Sequence, residues 1–154
     1  GVIAVMLAKL TGSRVVAVDV SPNALKIAAK NVRRHDVESL VTLVEGDVFP
    51  KGGKFRVIVS NPPYIPEEEW RGLSANVREY EPKMALASGE DGLDVIRRII
   101  NESPGYLEPG GCLFLEIGYN QKHDLEKILS TCFFSEYKFI NDLSNIPRVI
   151  FCKF

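Results

Sequence analysis

The sequence is poor in the residues from which metal centres and disulfide scaffolds are built, with 3 cysteines and 2 histidines in 154 residues. Cys112, Cys132 and Cys152 are far apart, odd in number and have no histidine at ligand spacing, which argues against a disulfide framework and against a zinc site. Reduced thiols in a cytoplasmic protein, with no metal, are the expectation. A surplus of either charge is also lacking. The 19 basic and 20 acidic residues leave a net charge of -1, so nothing general attracts a phosphate backbone and direct nucleic-acid binding is not expected, although a local basic patch stays open. No apolar run is long enough to span a bilayer. The opening "GVIAVMLAKL" has no basic region before it and no small-residue cleavage site after it, so neither a membrane span nor a targeting signal is read. Internal repeats and low-complexity tracts are missing as well. What remains is an ordinary globular composition, 45% apolar, in a chain able to bury roughly two thirds of its unfolded surface as one domain, and a monomer is expected.

What is present is an alternation of strands and helices. Residues 2–10 have helical composition, and "RVVAVDV" at 14–20 is a β-branched strand that carries Asp19 near its end. In "SPNALKIAAKNVRRH", Ser21 is placed to cap and Pro22 to occupy the first helical position, with Leu25, Ala28, Ala29 and Val32 on one face. Its basic end suits the C-terminal dipole. Strands are expected over 40–47 and 55–61, the second apolar on both faces and therefore central and parallel. Residues 91–103 read as a helix with Leu93, Ile96, Ile99 and Ile100 inward, 110–118 as a buried strand, and "NQKHDLEKILS" as a helix. "YKFIND" and "RVIFCKF" close the chain as two strands with no helix between them. The pattern predicts an α/β fold, a doubly wound parallel sheet with helices on both faces and an antiparallel pair at its end. The polar, proline-containing stretch from Ile65 to Gly92 is too long for a plain connection and reads as a lid or substrate loop.

In such sheets ligands bind at the carboxyl ends of the strands, where Asp19, Asp47, Asn61 and Glu116 fall. Asp19 is placed to accept hydrogen bonds from a ribose or, alternatively, to favour the amino end of the helix that follows. Asp47 is placed to meet an adenine amino group or simply to turn the chain before Pro50. The tetrad Asn61-Pro62-Pro63-Tyr64 carries sharper chemistry. An amide nitrogen is a poor nucleophile because its lone pair is delocalised, so an enzyme that alkylates it must orient it. The Asn61 side-chain oxygen and the Pro62 carbonyl can each accept one N–H of such an NH₂ group and hold its nitrogen toward an electrophile. Proline keeps the turn rigid and offers no competing donor, and Tyr64 supplies a flat face for stacking. His35 and His123 lie on exposed helix faces or ends without a partner that would make them catalytic. Trp70 reads as a packing anchor or as part of a lid, and Arg148 as an ion-pair partner of Asp142 or a substrate contact.

The tetrad, following "VDVSPNALKIAAKNV" and "VEGDVF", resembles the signature of class I S-adenosylmethionine-dependent methyltransferases that act on exocyclic or amide nitrogen. The stretches "YEPKMALASGEDGLDVIRRII", "LEPGGCLFLEIGYNQ" and "NDLSNIPRVI" are similar to the HemK/PrmC branch. These are the N5-glutamine methyltransferases that modify the Gly-Gly-Gln glutamine of class I peptide-chain release factors. The resemblance implies S-adenosylmethionine as cofactor, with Asp19 on the ribose, Asp47 and Val48 bordering the adenine, and Asn61 touching both cofactor and substrate. It implies a glutamine amide held by Asn61, Pro62, Pro63 and Tyr64, of which Asn61, Pro62 and Tyr64 serve catalysis, and a pocket shaped partly by Glu81 and Pro82. The family also carries a D-x-G-x-G-S-G loop after its first strand, and Gly1 stands where that loop's last glycine falls. A catalytic domain over residues 1–154 that lacks the first strand, most of the loop and the family's helical amino-terminal domain is therefore expected, with two strand edges left unpaired. Three other functions stay open: a ribosomal-protein glutamine methyltransferase, an adenine or guanine amino-group methyltransferase using the same tetrad on a flipped base, and a non-catalytic fragment that keeps only substrate binding.

Overall fold

The start of the first long amphipathic helix shows how closely local chemistry sets the elements. Ser21 is extended (φ -93°, ψ 113°), its side-chain oxygen accepts the Ala24 N–H at 3.2 Å, and Pro22 opens the helix α2, Pro22–Arg34. Ser21→Ala leaves that N–H without its cap and is expected to cost about 1 kcal/mol, read as a fall of roughly 2–4 °C in Tm. An unchanged Tm would show the cap to be idle.

The computed structural model describes residues 1–154, which divide into two compact units, Gly1–Gly53 and Lys54–Phe154. In the first, α1 (Val2–Thr11) leads into β1 (Val15–Asp19), then α2, then β2 (Val41–Glu45). The two strands pair in parallel, Asp19 opposite Glu45. Ala4, Val5 and Ala8 of α1 pack with Val32, Val37 and Val41, and Val15, Ala17, Leu40 and Leu43 close around them. α1 ends at Gly12, whose φ of 67° lets its N–H reach back to the Ala8 carbonyl.

The second unit begins with β3 (Phe55–Ser60), followed by three short helices, α3 (Glu67–Gly72), α4 (Ala75–Tyr80) and α5 (Lys83–Leu86). Then come α6 (Asp94–Glu102), a 3-10 turn at Ser103–Gly105, β4 (Leu107–Glu116), α7 (Lys122–Leu129), β5 (Glu136–Asn141) and β6 (Pro147–Lys153). The sheet order is β3-β4-β6-β5, with β3 parallel to β4 and both β6 pairings antiparallel. Leu93, Ile96, Ile99 and Ile100, the face expected of this helix, are buried, together with Leu113 and Leu115 of β4 and Ile150 of β6. Cys152 is also fully buried. Desolvation pushes its thiol up to about 12, so it behaves as a small apolar core residue.

One expectation is corrected: β3 is parallel, as read, but it is an edge strand of its sheet and not a central one. Val57 and Val59 are 52% and 37% exposed. A doubly apolar run reports side chains suited to burial and does not count the neighbours that the backbone finds. β1 and β2 pair only with each other, and β3 and β5 are the two edges of the four-stranded sheet. β4 also starts earlier than expected, at Leu107, because a bulge absorbs the Pro109-Gly110 interruption. Phe55 pairs with Leu107 while Val57 pairs with Cys112, and Gly110 takes a φ of 75° there.

Candidate functional site

β3 stops at Ser60 because Pro62 and Pro63 supply no backbone donors to continue a ladder. The chain then regains partners at once. The N–H groups of Tyr64 and Ile65 both donate to the Leu86 carbonyl, at 3.1 and 2.9 Å, and the Ser88 N–H donates to the Ile65 carbonyl at 3.0 Å. This isolated parallel bridge, Ile65 opposite Ala87, ties the tetrad to the end of α5. Between them lies a pocket of about 130 Å³, lined by Asn61 to Tyr64 with Ile65, Ala85 and Leu86. That is below the roughly 300–1,000 Å³ of a site that swallows a whole small molecule, and it suits a side chain.

The chemistry of the lining is asymmetric. The Asn61 side chain, which is exposed, and the Pro62 carbonyl make no hydrogen bond to the protein, so both acceptors are available to a ligand. Tyr64, by contrast, is bound at every polar atom. Its carbonyl accepts from Gln121 Nε2 at 2.9 Å, and Gln121 Oε1 accepts the Gly118 N–H at 2.8 Å. Gln121 is only 5% exposed, so these bonds are worth keeping: a buried amide left unpaired costs roughly 1–3 kcal/mol. The Tyr64 hydroxyl donates to Glu116 Oε1 at 3.3 Å and accepts from Arg148 Nη2 at 3.2 Å.

The residues named from sequence are therefore gathered only in part. Asn61, Pro62, Pro63 and Tyr64 line one pocket; Glu81 and Pro82 are exposed, at the junction of α4 and α5, and the lining comes instead from Ala85 and Leu86 one turn later. Arg148 pairs with Glu116, Nη2 to Oε1 at 3.6 Å. It does not pair with Asp142, whose carboxylate takes the Ser144 and Ile146 N–H groups at 2.8 and 3.0 Å to shape the turn between β5 and β6. Trp70 packs under Lys83, whose ammonium lies 5.2 Å from the ring centroid and 3.0 Å from Glu67 Oε1. The buried Trp70 Nε1 has no partner. Both histidines are exposed. Sequence reasoning misses Gln121, and it places Glu116 at a ligand-binding strand end without giving it a role. The only sequence signal for them was position, since each stands at or just beyond the carboxyl end of a strand.

In the first unit, Asp19 closes β1 with its Oδ1 accepting the Ser21 N–H at 2.9 Å and its carbonyl accepting the Gly46 N–H at 3.1 Å. That second bond draws the loop carrying Asp47 and Val48 up beside Asp19. Val48 takes a φ of 68° in this loop, and the Phe49 N–H returns to the Asp47 carbonyl at 2.9 Å. One carboxylate oxygen of Asp19 is thus used to order the turn and the other is left to accept from a hydroxyl, as a ribose edge would require. Gly1 sits where a Cβ would lie 2.6 Å from Ala28 Cβ, so the amino end of α1 approaches α2 as only glycine permits. Asn61 belongs to the other unit.

Three comparisons with known proteins bear on this arrangement. A family profile described as methyltransferase small domain matches residues 1–75. The release factor glutamine methyltransferase of Geobacter sulfurreducens is 44% identical over 153 residues, covering 97% of this chain and 53% of that protein. The ribosomal protein uL3 glutamine methyltransferase of Bordetella pertussis is 42% identical over 113 residues, 72% of this chain and 38% of that protein. The chain spans about half the length of the curated relatives it matches. Among solved structures, a methyltransferase from Pyrococcus furiosus superposes with a TM-score of 0.68 at 19% identity, over 98% of this chain and 68% of that one. The fold is that of the class I methyltransferases.

Proposed function

We propose that this chain, similar over most of its length to release factor glutamine methyltransferases, belongs to the HemK/PrmC family and methylates the side-chain amide of a protein glutamine, with S-adenosylmethionine as cofactor. The observation that carries this reading is the pair of unpartnered acceptors, Asn61 Oδ1 and the Pro62 carbonyl, beside a fully tethered Tyr64 in a pocket of side-chain size. The cofactor supplies an electrophilic methyl group. Asn61 and Pro62 accept the two N–H groups of the glutamine amide and aim its nitrogen lone pair, so the barrier falls mainly through orientation and through carbonyl dipoles placed where positive charge develops. No side chain needs to act as a strong base, because the amide gives up its proton to solvent only after attack has begun. Asp19 and the Asp47–Val48 loop hold the cofactor's ribose and adenine, while Glu81 and Pro82 shape the outer approach to the amide pocket and not its floor.

The substrate proposed is the Gly-Gly-Gln glutamine of a class I release factor. The uL3-directed relative favours a second reading, a glutamine of that ribosomal protein. Incubating the protein with labelled S-adenosylmethionine and each substrate in turn, then locating the added methyl by mass spectrometry, decides between them. Label on neither protein, in the presence of measured cofactor binding, would sink the catalytic reading and leave a binding module. Label on an adenine or guanine would replace it with the base-directed one. A monomer in the cytoplasm that makes no direct contact with nucleic acid completes the proposal, and salt-sensitive binding to RNA or DNA would contradict its last part.

The cofactor assignment has its own test. Asp19→Asn keeps an oxygen to accept the Ser21 N–H but loses the charged acceptor. A hydrogen bond to a charged group is worth about 1.5–3 kcal/mol against about 1 for a neutral one, so S-adenosylhomocysteine is expected to bind roughly tenfold more weakly by titration calorimetry. Unchanged affinity would remove Asp19 from the site.

A further inference from the structure

We propose that Glu116 and Arg148 are positioning residues that act through the Tyr64 hydroxyl and fix the angle of its ring against the amide pocket. The proposal rests on the glutamine-methyltransferase reading above. Tyr64 Oη donates to Glu116 Oε1 at 3.3 Å and accepts from Arg148 Nη2 at 3.2 Å, and the two charged groups close the ring of contacts at 3.6 Å. The arrangement is not a chance meeting of long side chains. Glu116 ends β4 and Arg148 lies beside it at the start of β6, where the ladder pairs Glu116 with Val149 and the Ile117 N–H donates to the Arg148 carbonyl at 3.0 Å. The sheet therefore sets the separation of carboxylate and guanidinium, and Tyr64 docks into a receptor that the backbone has already built. The guanidinium carbon also stands 5.6 Å from the ring centroid, within cation–π range.

Two consequences distinguish this clamp from an ordinary surface ion pair. The other ion pairs mostly join neighbours on one helix and leave both side chains about half exposed, whereas the side chains of Arg148 and Glu116 are 28% and 35% exposed and come from different strands. The single proton of the Tyr64 hydroxyl is also committed to Glu116, so the hydroxyl has nothing to donate to a substrate. Tyr64 contributes its ring, and the clamp decides where that ring lies. With its N–H held by Leu86 and its carbonyl by Gln121, only the side-chain torsions of Tyr64 are left for the clamp to fix.

The test is a double-mutant cycle in methyl transfer, with Tyr64→Phe, Glu116→Gln and the pair together. Each single variant is expected to lower kcat about tenfold, the effect of a small misplacement of a positioned group, with the KM for S-adenosylmethionine unchanged. The double variant should be no slower than Tyr64→Phe, because Glu116 has no route to the reaction once the hydroxyl is gone. Multiplicative losses, or a fully active Glu116→Gln protein, would overturn the proposal. Should Glu116→Gln not fold, Arg148→Lys keeps the charge but not the geometry of the fork, and wild-type turnover from it is equally fatal. A second readout needs no turnover and so separates this proposal from the function on which it rests. With ¹³Cζ-labelled tyrosine, the Tyr64 signal, assigned by its loss in Tyr64→Phe, should shift in Arg148→Lys, and an unmoved signal would mean that the clamp is not formed in solution.

Discussion

Asn61→Ala is expected to lower turnover by about 100- to 1,000-fold, the range seen when one preorganised hydrogen-bond partner of a transition state is deleted, with little change in thermal stability. The two halves of that expectation have separate grounds. Asn61 is exposed and its side chain bonds to nothing in the protein, so its truncation opens no cavity and orphans no partner; surface substitutions of that kind stay within about 0.5 kcal/mol. Its whole contribution is made when an amide occupies the pocket, and it is stronger once the nitrogen begins to carry positive charge. The loss should therefore appear in kcat for the protein substrate. Unchanged turnover would remove Asn61 from catalysis and leave the Pro62 carbonyl as the sole orienting acceptor. A lowered Tm with proportionate loss of activity would mean instead that the asparagine is structural.

The parts of this protein that could be read from sequence are those whose signal is local. Ser21 and Pro22 announce their helix because a cap and a first-turn proline act within four residues, and the structure shows both in place. Ile96, Ile99 and Ile100 fall on one face because the helical period is written into a run long enough to show it. The antiparallel closing pair was legible because two β-branched runs stand too close together to admit a crossover helix. The tetrad could be read for a different reason: an amide, two prolines and a ring in succession have few structural uses at the end of a strand.

What escaped is what depends on partners distant in sequence. The stretch from Ile65 to Gly92 holds three helices of 6, 6 and 4 residues, each too short to display a period or to be stable alone. From sequence it reads as a lid or substrate loop with no helix in it. Leu86 lines the pocket because its carbonyl receives Tyr64 and Ile65, a fact of tertiary pairing that displaced the expected lining role from Glu81 and Pro82. Gln121, in "GYNQKHDLEK", looked like a residue at a helix start, which it is. Its function is set by the Tyr64 carbonyl, and nothing nearby in the sequence announces that. Arg148 found Glu116 across the β4–β6 ladder, whereas the nearer Asp142 was already committed to its own turn.

The largest loss of stability is expected at Gly92, a residue that does nothing chemical. Its φ is +77°, and a Cβ built there would lie 2.3 Å from the Tyr64 carbonyl oxygen and 2.9 Å from Gln121 Nε2. Neither atom can yield cheaply, because each is bonded to the other and Gln121 is held in turn by the Gly118 N–H. Gly92→Ala must then carry the left-handed strain of about 1–2 kcal/mol and also break or displace a buried hydrogen bond, for roughly 1–3 kcal/mol more. A destabilisation of about 3 kcal/mol is expected, a fall of roughly 6–12 °C in Tm for a chain of this size. Gly12→Ala provides the control, since Gly12 has a φ of +67° and nothing within 4 Å of its missing Cβ, so it carries the strain alone. The difference between the two variants measures how tightly the Tyr64 carbonyl is held. A Gly92→Ala loss well beyond that of Gly12→Ala, accompanied by a drop in kcat, would mean that the same anchor that stabilises the second unit also aligns the ring beside the pocket. Equal losses would mean that the Tyr64 carbonyl and Gln121 move aside freely, and Tyr64 would then depend on its hydroxyl contacts for its position.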